Sequence, residues 1–315
     1  MQTETLLQVE ERHTPHWVSQ AAFPILSLLL LALQAVMAVA IYHHMTWLVI
    51  LLIPVISHLM HGQLIGLHEA SHSLLRKSRR LNDFDGFLIA AFSFTSFTLY
   101  RAAHQTHHMH LSTEKDEELW PFVLTDMPRW RRVLAAALEL TLGMIFTPCI
   151  FLRTFLRKES PIRAPRVRQM IWRDYAFIAV LWLVIFATVT LLHLWTYFFL
   201  MYLIPAVIAG NLQSWRKYIE HVGMTGNTPN SATRSIVCRT WLGHLMAFSL
   251  LHEPYHGVHH EISGIPHAEL PQHADVLEPK TPEDVPPFPS YRHALIHLLH
   301  SLADPRVGGQ WRNVA

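Results

Sequence analysis

The chain of 315 residues has only two cysteines, Cys149 and Cys238. They are too few and too far apart for a thiolate metal site, a disulfide framework or a four-cysteine iron–sulfur centre. Any electrons used in redox chemistry must therefore come from another protein. Charge is scarce as well, with 15% Asp, Glu, Lys and Arg together and a formal net charge of +2. Such a balance gives no reason to expect a nucleic-acid partner. A secretory leader is not expected either. The first twenty residues are polar and carry Glu4, Glu10 and Glu11, and the first apolar run is long enough to span and stay.

Hydrophobic residues, in contrast, make up 51% of the chain and come in long runs, which points to an all-α integral membrane protein. Histidine is the other excess, with 24 copies against 25 Lys plus Arg. Many must be structural, so only position and spacing can single out ligands.

Residues 1–20 read as a polar tail with Trp17 as an interface anchor. Residues 21–42 are uncharged and long enough, at ~1.5 Å per residue, to cross a ~30 Å hydrocarbon core. Residues 43–46 connect to a second span at 47–66, whose periodic apolar pattern continues through His68 and His72 to Leu75. Arg76, Lys77, Arg79 and Arg80 follow and mark that end as cytoplasmic. Residues 86–99 are apolar over too short a stretch to span and are expected to be re-entrant or interfacial. Residues 133–152 are long enough to span, yet carry Glu139 and lie between arginine clusters, which suggests an interfacial or shallowly embedded helix.

Residues 175–192 and 195–212 form a second tight hairpin. The expected architecture is a single membrane domain over 1–315: four transmembrane helices as two hairpins within 21–213, an interfacial insert at about 76–174, and a histidine-rich cytoplasmic cap over 214–315. Both termini fall inside, because the two short outer connections carry no Lys or Arg. One amphipathic helix is expected near 291–303.

Three histidine boxes organise the chain: His68-Glu69-Ala70-Ser71-His72, His104-Gln105-Thr106-His107-His108 and His256-Gly257-Val258-His259-His260. Residues three and four apart share a helix face, so each box offers two or three imidazoles pointing one way. Eight imidazoles exceed what one ion can use, which implies two metals. The first box alone also fits a zinc protease, with His68 and His72 as ligands and Glu69 as general base. That rival needs one metal and neither of the other boxes. A histidine-rich transporter would place its ligands near the bilayer midplane instead.

The three boxes, together with Leu81-Asn82-Asp83, Tyr100-Arg101, Tyr255, Pro266 and Leu270-Pro271, resemble the membrane fatty acid desaturase and hydroxylase family over about residues 45–275. The resemblance implies two irons held by the eight box histidines, His68, His72, His104, His107, His108, His256, His259 and His260. It implies O2 as co-substrate, attack on an unactivated C–H bond of an acyl chain, and a separate ferredoxin, rubredoxin or cytochrome as electron donor. It also implies a ligand from the end of the fourth span, where Glu220-His221 makes His221 the ninth.

Glu69, Asp116 and His110 are expected to support the ligands from behind, as are His252 and His267, and Asn211 through water. Desaturation is the first expectation, with hydroxylation or ketone formation on the same architecture as the alternative. The lack of a fused haem motif fits a bacterial inner-membrane enzyme.

Overall fold

The computed structural model describes residues 20–314, so the N-terminal tail and Trp17 lie outside the described residues. The described residues are helical apart from turns and an isolated bridge between Ile236 and Phe288. The chain divides into two compact units. One comprises Phe23–Gln105 and Leu138–Ser214, and the other is built chiefly from Thr106–Ala137 and Trp215–Ala315.

The first unit contains helices α1 (Ala22–Tyr42), α2 (Thr46–Ser71), α3 (Arg79–Phe92) and most of α4 (Phe97–Met109), then the later part of α5 (Arg129–Leu156), α6 (Pro165–Leu191) and most of α7 (Trp195–His221). Five of these, α1, α2, α5, α6 and α7, are long and apolar enough to cross a membrane. The sequence reading expected four, so α5 is the addition. Leu28, Leu31, Ile50, Val180 and Leu183 point outward from α1, α2 and α6. Outward leucines and valines suit a hydrocarbon surrounding and not water.

α1 and α2 pack through Met37, Ala40, Val49, Leu52 and Ile56, with Leu200 and Met201 of α7 against them. Leu200 and Met201 belong to a π-helical turn, Phe198–Leu203, and Gln34 of α1 donates to the Met201 carbonyl at 2.9 Å. A lone amide between apolar helices is tolerated because it is paired.

α2 ends earlier than its apolar pattern suggested. Helical hydrogen bonding stops at Ser71, with His72 as the cap and Ser73 in the left-handed region at φ 65°. The Ser73 N–H donates to Ala70 and the Leu74 N–H to Glu69, the paired bonds of a Schellman ending. Asn82 of α3 then pins the end from both sides, accepting from Leu75 N–H and donating to the Ala70 carbonyl, which Arg101 also reaches at 3.0 Å. Arg101 is held by Asp83. α2 and α3 come so close here that a Cβ on Gly86 would meet the Phe97 ring and the Ala70 methyl inside 3 Å.

The short apolar stretch after residue 85 divides into the end of α3 and the start of α4, and neither helix is long enough to span. The final α3 carbonyls are capped by aromatic donors from two long helices. Trp182 Nε1 donates to Ala91 O at 3.0 Å and the Tyr202 hydroxyl to Phe92 O at 2.5 Å. α4 starts on Asp174, which accepts from Ser96 Oγ and the Thr98 N–H, supplying the negative end that a helix N-terminus favours.

α5 is broken at Leu142, whose φ and ψ are −124° and 31°. Asn211 of α7 mends the break, accepting from Gly143 N–H at 2.8 Å and donating to Thr141 O at 3.0 Å.

The second unit adds α8 (Trp241–Ser249), α9 (His256–Glu261) and α10 (Tyr291–Ser301), the last close to its expected place. Tyr255, Val258, Leu270 and Leu277 form its core beneath α9. Arg234, fully buried, ties it together by donating to Ile219 O and to His297 Nδ1, both at 2.9 Å. Burial lowers its pKa to about 10, still well above neutrality.

Replacing Asn82 by Ala strips a buried donor and a buried acceptor of their partner. The expected cost is about 2–4 kcal/mol, read as a lower thermal midpoint of the detergent-solubilised protein. An unchanged midpoint would show that the α2 ending does not depend on Asn82.

Candidate metal centre

The first unit brings together His68, His72 and His104. One nitrogen from each lies within 4.8 Å of the others. Ring centroids are 4.5 Å apart for His68 and His104, 5.0 Å for His72 and His104, and 5.2 Å for His68 and His72. Tyr100, one turn before His104, lies nearly parallel to its ring and sets its orientation. Glu69 is buried, and its carboxylate is 3.5 Å from His68 Nδ1. His68 and His72 are on the last turn of α2, so the Schellman ending and the Asn82 brace fix both.

The second unit gathers His107, His108, His221, His256, His259 and His260. His107, His221 and His260 present nitrogens within 4.8 Å of one another. His256 Nε2 is 2.9 Å from His221 Nε2 and 3.0 Å from His260 Nε2, while His108 Nε2 is 3.1 Å from His259 Nε2. α4 carries both parts of the second box, with His104 ending its run in the first unit and His107 and His108 opening the second.

Two carboxylates determine where the protons sit. Asp116 accepts main-chain N–H groups from Ser112, Glu118 and Leu119, and His107 Nδ1 is 2.8 Å from its Oδ2. Glu253 Oε1 accepts from Arg216 and lies 3.0 Å from His256 Nδ1. In both rings Nδ1 must donate, which leaves Nε2 as a lone pair aimed into the cluster.

Several inward lone pairs about 3 Å apart in a buried space repel unless a cation lies among them. His260 is held well below the ordinary histidine range, first by burial and then by the imidazoles of His108, His256, His107 and His221, so its ring is neutral at pH 7 and has a lone pair that could take a metal. The residues therefore fit a first-row transition metal bound by neutral imidazole.

The family comparison agrees with this chemistry. A family model described as fatty acid desaturase matches residues 45–292. The chain belongs to the fatty acid desaturase family. Membership makes it an oxidoreductase of lipid desaturase or oxidase type, and the histidine clusters give that family activity its metal-binding groups. A search among curated proteins finds no match.

Of the supporting residues expected from sequence, Asp116 does meet a box histidine, and Glu69 lies beside His68. His110 does not: its carbonyl closes a turn with Thr113, and its half-buried imidazole makes no hydrogen bond, ion pair or ring contact among the described residues. The Asn211 amide bridges the α5 break, accepting from Gly143 N–H and donating to Thr141 O. His252 and His267 stack on each other, with Nδ1 atoms 3.4 Å apart.

Sequence reading missed Arg216 and Glu253. Arg216 Nη1 binds Glu220 at 2.6 Å and also Glu253, which faces His256. The signals for them were weak. Arg216 is four residues before Glu220 on one helix, and Glu253 is three before His256, both spacings that bring side chains together.

Asp116→Asn and Glu253→Gln remove the charge behind a ligand without removing the ligand. Metal affinity in a chelator competition should fall about 10–100-fold. Retention equal to wild type would reduce both to structural braces.

A pH effect follows from the other pair. Burial, then the imidazole of His244, lowers His252 to about 4, and burial, then the imidazole of His252, lowers His267 to about 3, against 6.5 when unfolded. Between those values the unfolded chain binds more protons, so stability is fully present above pH 6.5 and is lost as pH falls toward 4. The thermal midpoint should drop across that window, and less steeply in His267→Asn.

Proposed function

We propose that this chain is a di-iron, O2-dependent fatty acid desaturase, with His68, His72, His104, His107, His108, His221, His256, His259 and His260 as the metal ligands. The observation that carries the reading is the gathering of nine histidines, from sequence positions as distant as 68 and 260, into two largely buried clusters. Imidazole alone does not choose the metal, and iron enters through family membership. When bound, the metals supply O2 activation at an unreactive C–H bond. The residues' part is to hold neutral nitrogens in place, with Asp116 and Glu253 keeping His107 and His256 in the ligand tautomer.

Four membrane spans suit this assignment better than five. His107 packs against His221 within one unit, with ring centroids 5.0 Å apart, and α5, α6 and α7 lie between them in the chain. Three crossings would leave the two histidines on opposite faces of the bilayer. α5 is the natural exception, since it is broken at Leu142, buries Glu139 and starts and ends among arginines. α1 with α2, and α6 with α7, then make two hairpins whose outer turns lack Lys and Arg, which supports a cytoplasmic position for the clusters. The substrate is a lipid acyl chain, and the electrons come from a separate ferredoxin, rubredoxin or cytochrome. An inner-membrane location in a bacterium fits this arrangement.

The test is metal content after purification without oxygen. About two metals per chain, lowered by His107→Ala or His259→Ala, together with an unsaturated lipid product on supply of reductant, is the expected result. One tightly held zinc, indifferent to both substitutions, would overturn it in favour of a single-metal hydrolase at His68, Glu69 and His72.

A further inference from the structure

The second unit carries an apolar patch that the metal chemistry does not use. Between residues 213 and 295, the large hydrophobic side chains that are exposed among the described residues are Trp241, Leu242 and Leu245, at 77%, 54% and 51%. All three are on α8. The helix starts cleanly, because Thr240 accepts the Gly243 N–H at 3.1 Å, and its other side buries Ala247 and Ser249. Its exposed residues are Trp241, Leu242, Leu245 and His244, an apolar majority that a helix facing water does not show.

Length and charge indicate what covers it. Nine residues extend only about 13 Å, too short to cross a bilayer but suited to lying along its surface. Trp241 stands at the helix start beside exposed Arg239 and Thr240, and tryptophan favours the level of lipid headgroups. From His221 to His252 the sequence contains no Asp or Glu, and of its two arginines Arg239 is exposed while Arg234 is buried. An apolar face flanked by positive charge and free of acids matches an anionic membrane surface. The last long apolar helix ends at His221, twenty residues before α8 begins, so the same membrane is at hand.

We infer that α8 is an in-plane membrane anchor that seats the second unit on the anionic lipid surface of the membrane the chain spans, with Trp241, Leu242 and Leu245 inserted at the headgroup boundary. The inference rests on the reading of the chain as a membrane protein and is independent of which metal it binds.

Photo-crosslinking from a benzoyl-phenylalanine placed singly at Leu242 or Leu245 tests it in native membranes, with Leu183 of α6 as the lipid-facing control and exposed Lys280 as the water-facing one. Phospholipid adducts at 242 and 245 should come within about threefold of those at 183, and exceed those at 280 about tenfold. A protein adduct at 242 and 245, with lipid at 183, would overturn the inference and give the patch to a protein partner. Absence of any adduct there, with lipid at 183, would equally overturn it. Loss of the lipid adduct at 183 as well would strike at the membrane reading itself.

Discussion

Imidazole nitrogens about 3 Å apart in a buried space are the constraint on which the rest depends. Neutral rings can tolerate this only if some donate to others or if a cation takes their lone pairs. Glu253 and Asp116 remove the first option for His256 and His107 by claiming their Nδ1 protons. Those two rings therefore enter the cluster as acceptors, and a bound metal would be a partner for their lone pairs. Holding the rings so calls for rigid supports around them.

Those supports are the features that look incidental in a list of helices. A Schellman ending and an asparagine stop α2 just after its two histidines. Carboxylates at the opposite end of the chemistry keep rings from turning. Arg216 is the link most exposed to failure, because it joins Glu220 and Glu253 in a buried network, and removing one partner there leaves the other's charge unpaired.

The sequence displayed the ligands far better than their supports. Box histidines repeat at three and four residue spacings, and periodicity of that kind survives without any knowledge of the fold. Glu220-His221 was visible only through family likeness, since a single histidine past a helix carries no spacing signal. Asp116 was legible because it lies nine residues from His107 in a short acidic run. Asn211 serves a feature that the sequence does not mark, a backbone break at Leu142 with no Gly or Pro at that residue. The span count turns on the same place. Length and apolarity alone make α5 a fifth candidate span, whereas Glu139 and the flanking arginines are what read it as interfacial. The early stop of α2 was hidden too, because serine, unlike glycine, does not advertise a left-handed residue.

The π turn at Phe198–Leu203 has a consequence for how α7 is read. An extra residue in one turn advances the helix face by about 100° without adding a full turn. Leu200 and Met201, which meet α1 and α2, and Glu220 and His221, which face the cluster, therefore belong to two different angular frames of one helix. A heptad count carried straight on from Trp195 would assign the wrong faces to the residues beyond Leu203. The wide turn acts as a phase shifter within the helix, so the stripe that packs on α1 and α2 is not the one a plain α-helical count would carry forward.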